Sequence, residues 1–166
     1  MAEGLELSGS AALTGLTPAD VGELERVAIV QEYAAGDTIF TEGEPSSGMY
    51  IIVEGDVSLH TSLGVEQVDV GKAGKGDLIG WSGLVPPHVF SATAVSAGAS
   101  TIAFIKTDDL VRLSEEDQYL GRMVMRNVAS VISVRLRESH KRTAHLVQQL
   151  RDQVPSGKGL RSRHQG

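Results

Sequence analysis

AAGDTIFTEGEPSSGMYIIVEGDVSL, residues Ala34 to Leu59, alternates short β-branched or apolar runs with closely spaced glycines. Thr38 to Thr41, Met49 to Val53 and a run opening at Val57 have the composition of strands. Glu54-Gly55-Asp56 between the last two reads as a tight turn, because glycine tolerates the positive φ that such connections need. Outward from this stretch the pattern repeats through Val57 to Thr61, Val68 to Gly71, Phe90 to Val95 and Ser100 to Ile105, punctuated by Gly64, Gly71, Gly76, Gly80 and Gly98. Connections this short leave no room for the crossovers that join parallel strands. The fold class that follows is mainly β with α: an antiparallel β-roll of roughly eight strands between Ile29 and Lys106.

Helical signals flank the roll. Thr17-Pro18-Ala19-Asp20 offers a capping hydroxyl, a proline suited to the first turn and an acid three residues after the cap, predicting a short helix to about Ala28. Thr107 is placed to cap a second short helix, and Ser114 with Asp117 to cap a long one from Glu115 to about Leu150. That length is on the order of 50 Å. Leu120, Met123, Val124, Val128, Val131, Val134 and Leu136 form an apolar stripe, its first two turns read as lying on the roll and the remainder as the seam of a homodimer. The organisation expected is a flexible N-terminus over 1–12, the roll and its flanking helices over 13–114, the long helix over 115–150 and a flexible basic tail over 151–166.

Composition removes several function classes. The 166 residues include no cysteine, which excludes disulfides, thiolate metal sites and cysteine nucleophiles. Without an apolar run long enough to cross a bilayer, or a basic, hydrophobic leader, the chain reads as cytoplasmic, with no membrane partner. Residues 1–107 carry four basic against fourteen acidic residues and residues 108–166 carry eleven against seven, so an acidic body precedes a basic end. The body is a poor surface for nucleic acid, and the basic end is either a solvated face or a contact for an acidic partner. His60, His88, His140, His145 and His164 lack metal-ligand spacing, and no nucleophile elbow is present, so neither a metal site nor catalytic residues are expected.

The run Ala34 to Leu59, with Gly36, Gly43 and Gly55, the Tyr50-Ile51-Ile52 strand and GDLIG at Gly76 to Gly80, resembles the cyclic-nucleotide-binding domain of the catabolite-activator kind. The resemblance extends from about Leu13 to Leu150. It implies a ligand cassette in GDLIGWSGLVPPHVFSATA, Gly76 to Ala94, where nucleotide-binding members place a glutamate on the ribose hydroxyl and an arginine on the cyclic phosphate. Aligned on Gly80 and on Ser91-Ala92-Thr93, those positions hold Trp81 and Phe90. Losing one partner of a buried charge pair costs about 2–5 kcal/mol, so cyclic nucleotide, the one cofactor implied, is expected to bind only weakly.

The remaining anion contacts are the amides around Gly80, Trp81 and Ser82 and the Ser91 hydroxyl with the Ala92 amide, with His88, Arg122 and Arg126 as candidate compensating cations. Trp81 and Phe90 either fill the pocket or line it for an apolar effector. The reading is a non-enzymatic regulatory or sensor module, homodimeric through the long helix, with a protein partner for its output. The alternatives are a ligand-free interaction scaffold and the sensor half of a transcription regulator truncated before its helix-turn-helix. Sixteen residues beyond Leu150 are too few for that motif, so the chain alone is expected not to bind DNA.

Overall fold

Capping chemistry starts the first helix where the spacing predicts. In the computed structural model, which describes residues 5–154, α1 spans Pro18–Val27. The Asp20 amide donates to the Thr17 hydroxyl oxygen (3.2 Å) and the Thr17 amide donates to the Asp20 carboxylate (2.8 Å). This reciprocal pairing satisfies two donors that a helix start leaves open.

Eight strands follow: β1 Ile29–Tyr33, β2 Thr38–Phe40, β3 Gly48–Glu54, β4 Val57–Leu63, β5 Glu66–Ala73, β6 Leu78–Ile79, β7 Thr93–Ser96 and β8 Ser100–Lys106. They form two antiparallel four-stranded sheets, ordered β1-β8-β3-β6 and β2-β7-β4-β5. The period-two alternation of strand side chains makes two cores from the first sheet. Met49, Ile51, Leu78, Ala103 and Ile105 face the helices, where they meet Leu24, Leu110, Leu113, Leu120, Val124 and Val128. Ile52, Ile79 and Ile102 face the roll interior with Phe40, Val57, Ala73, Phe90 and Ala94.

Two helices follow among the described residues, α2 Thr107–Glu116 and α3 Gln118–Gln153. Their starts differ from expectation. β8 runs directly into α2 with Lys106 as its cap residue, which puts Thr107 inside the helix and frees its hydroxyl to donate to the Gly83 carbonyl (2.8 Å). Ser114 also lies within α2, donating to the Leu110 carbonyl (2.6 Å). Asp117 opens α3 instead, its carboxylate accepting from the amides of Tyr119 (2.8 Å) and Leu120 (3.2 Å).

The N-terminal stretch also departs from the flexible segment expected over 1–12. Leu7 and Ala12 are buried in the helix-facing core, the Leu7 amide donates to the Glu25 carboxylate (2.9 Å) and the Ser10 hydroxyl donates to the Gly76 carbonyl (2.8 Å). Small residues with one or two apolar anchors suffice here because each anchor meets a preformed core. Of the tail expected over 151–166, residues 155–166, His164 among them, lie outside the described residues.

The chain divides into two compact units, Met1–Ile132 and Ser133–Gly166, so the division falls within α3 and not at its start. In the first unit the buried face of α3 extends through Leu120, Gly121, Met123, Val124, Asn127 and Val128, beyond its first two turns. In the second, Val134, Leu136, Leu146, Val147 and Leu150 are exposed. No helix among the described residues is long and apolar enough to cross a membrane.

Candidate functional site

The cassette from Gly76 to Ala94 is anchored at its start by backbone pairing to β3. The Gly76 amide donates to the Ile52 carbonyl (2.7 Å) and the Ile52 amide donates to the Asp77 carbonyl (3.0 Å). β6 then pairs with Tyr50 and Ile51, and the chain turns at Gly80 into a single 3-10 turn, Trp81–Leu84. The short helix expected at Trp81 to Leu84 is this turn. Gly80 sits at φ 63°, and a Cβ there would come within 2.7 Å of the Tyr50 ring and 2.9 Å of the Phe40 ring. Only glycine fits both the left-handed backbone and the space.

Gly83 is packed so closely on the backbone of Gly48 that the turn lies flush against β3. Its carbonyl accepts from the Thr107 hydroxyl (2.8 Å) and from His88 Nδ1 (2.9 Å). The cassette and the first residue of α2 therefore share one acceptor.

Beyond Pro86-Pro87 the chain returns alongside residues 43–46. The Ser46 amide donates to the His88 carbonyl (2.8 Å), the Phe90 amide to the Glu44 carbonyl (3.0 Å), and the Gly43 amide to the Phe90 carbonyl (2.9 Å). With its backbone paired on both sides, Phe90 is directed into the roll. Its ring stacks on Phe40 with centroids 4.1 Å apart and planes 8° from parallel, and Tyr50 lies tilted at 6.3 Å. Such pairs contribute about 0.5–1.5 kcal/mol beyond area burial. Phe90 is only 6% exposed. Burial raises the Tyr50 phenol above its ordinary value, with the Tyr33 phenol adding to the effect.

The other sequence-predicted residues do not converge on Phe90. Trp81 is half-buried and packs against the helix-facing core, so the two aromatics enter different cores and do not share one pocket. The 3-10 turn after a left-handed Gly80 is what directs Trp81 away from the roll interior. Ser82 and Ala92 are half-buried and Ser91 is exposed. Thr93, which opens β7, accepts the Glu42 amide on its hydroxyl oxygen (3.0 Å). The Glu42 carboxylate in turn accepts from the Ser62 amide and the Thr61 hydroxyl, which hold its pKa below the ordinary glutamate value.

Of the candidate cations, His88 is exposed, adopts φ 58° and turns Nδ1 toward Gly83. Arg122 lies over the Tyr119 ring at 5.6 Å, and both Arg122 and Arg126 occupy the exposed side of α3, opposite buried Val124 and Val128. None of the three is brought to the Phe90 ring. Spacing alone did not identify Phe40, the partner that closes the interior, nor Gly83, the shared acceptor. The signals available were a phenylalanine in a three-residue strand and a second glycine three residues after Gly80.

The sequence profile described as the cyclic nucleotide-binding domain matches residues 30–117, more than half of the chain. Among curated proteins, the chain is 29% identical over 139 residues to the "Cyclic AMP receptor protein" of Thermus thermophilus, covering 80% of this chain and 60% of that protein. It is 37% identical over 87 residues to a "cAMP-dependent protein kinase regulatory subunit" of Mycosarcoma maydis, covering 52% of this chain and 16% of that one. The chain thus spans less than two thirds of the length of these relatives. Among solved structures, the Thermus thermophilus catabolite activator protein superposes with a TM-score of 0.71 at 26% identity, over 83% of this chain and 63% of that one. The two four-stranded antiparallel sheets, the cassette beginning at Gly76 and the matched residues together make this chain a member of the cyclic nucleotide-binding domain family.

Proposed function

We propose that the chain is a non-catalytic, cytoplasmic regulatory module whose roll does not take cyclic AMP or cyclic GMP tightly in the family's usual pose, and whose output is association, with a second copy through α3 and with a partner protein. The observation that carries this reading is Phe90: at the position where the family resemblance puts the phosphate-holding arginine, a phenyl ring is stacked on Phe40 inside the roll. An anion entering there meets an apolar interior in a body where residues 1–107 hold fourteen acidic against four basic residues.

Regulation follows from the shared acceptor. Because the Gly83 carbonyl receives both His88 Nδ1 and the Thr107 hydroxyl, a shift of the 3-10 turn is felt at the first residue of α2. Partner contact at either element would bias the position of the other.

Restoring the arginine tests the account. Phe90→Arg, checked for native fold by circular dichroism, is expected to strengthen cyclic AMP binding in calorimetry by about one to three decades. A folded variant with no gain would mean that the Phe90 ring does not account for the loss.

A further inference from the structure

An apolar groove of about 290 Å³ lies between α2 and the first turns of α3. Leu110 and Val111 form one wall, Gly121, Val124 and Met125 the other, and Leu84 of the cassette turn closes one end. Glycine at 121 permits the close approach: a Cβ there would fall 2.5 Å from Ser114. At the rim, Val111 is 52% and Met125 45% exposed, so two large apolar side chains flank the opening in water. The rim is acidic. Asp108, Val111 and Glu115 stand at i, i+3 and i+7 on α2, on one face, while Arg112 engages Asp109 and Glu116 on another.

The same chain carries the complementary surface. In α3 beyond Ile132, Leu146 and Leu150 are exposed one turn apart, with Arg142 one turn before them and Arg151 one residue after. Residues 133–153 hold five lysines and arginines against two acids. This is an amphipathic, basic helix with an uncovered apolar stripe, which is the form of segment that lies in a hydrophobic groove through i, i+4 anchors.

We propose that the groove receives the Leu146–Leu150 stripe of a second copy, with Arg142 and Arg151 facing Glu115 and Asp108. This rests on the reading that the chain self-associates through α3, and it names the surface on which α3 docks. The groove ends on Leu84, so the docked helix touches the cassette turn, and association and cassette geometry become linked.

The absence of cysteine makes the test specific, since introduced thiols are the only ones present. Full-length Val111→Cys and Leu146→Cys chains, mixed in equal amounts and mildly oxidised, are expected to give mainly the mixed Val111→Cys/Leu146→Cys disulfide, because bridging requires Cα atoms within roughly 7 Å. Adding Glu115→Arg to the first chain should lower the yield about two- to fivefold at low salt, and Arg142→Glu on the second should restore it. Leu146→Cys homodimers alone would overturn the groove while leaving self-association through α3 standing. A monomer in sedimentation with no disulfide of either kind would overturn both.

Discussion

Position 80 shows how little latitude the cassette has. Its left-handed backbone costs a residue other than glycine about 1–2 kcal/mol, and the Tyr50 and Phe40 rings occupy the space a methyl group would take. Gly80→Ala is therefore expected to lower stability by at least about 2 kcal/mol, a drop in Tm of roughly 4–8 °C by differential scanning calorimetry. An unchanged Tm would show that the rings give way freely. This glycine was legible in the sequence, as was the turn at Trp81 to Leu84. The directions of the two aromatics were not. Trp81 and Phe90 sit nine residues apart in one cassette, but a 3-10 turn rotates one toward the helices while backbone pairing with Gly43 and Glu44 commits the other to the roll. Those pairings depend on chain segments distant in sequence, and local spacing carries no trace of them.

Among the elements, those whose signals are local came through best. The α1 cap needs only Thr17, Pro18 and Asp20, and the strands need only their composition and their glycines. The starts of α2 and α3 went to other residues because other acceptors took the hydroxyls: Thr107 serves Gly83 of the cassette, Ser114 serves Leu110 one turn back in α2, and Asp117 takes the cap. The N-terminal stretch is hard to read for a related reason: its low local propensity hides a set of long-range ties. One of these is Asn127, a buried polar residue on α3 whose amide donates to the carbonyls of Ala12 (2.9 Å) and Thr14 (2.8 Å). Asn127→Ala leaves both acceptors without this donor and is expected to cost about 1–3 kcal/mol in urea denaturation. It should also speed proteolysis between Leu7 and Leu16 relative to the rest of the chain. A loss under about 0.5 kcal/mol would mean that the tie is incidental.

For the whole molecule, the proposed function separates scaffold from ligand chemistry. The two sheets, the cassette glycines and the flanking helices are those of the cyclic nucleotide-binding domain family; the roll, its glycines and the presence of the helices were readable because they are written in turn residues and periodicity, whereas the division into two sheets, with β1 and the two-residue β6, rests on long-range pairing. The roll interior around Phe90 is an aromatic and aliphatic core in an acidic body, with the basic residues concentrated after position 107. The partner that the proposed function calls for was not legible, because an interface is specified jointly with a surface belonging to another molecule. The closure of the roll by Phe90 is the central claim, and isothermal calorimetry of the unaltered full-length chain with cyclic AMP addresses it most directly. At about 100 µM ligand, which would stabilise a micromolar binder by about 2.7 kcal/mol, no saturable heat and no rise in Tm are predicted. A one-to-one isotherm in the micromolar range or tighter, lost on lengthening the roll interior's side chain by Ala94→Leu, would contradict it.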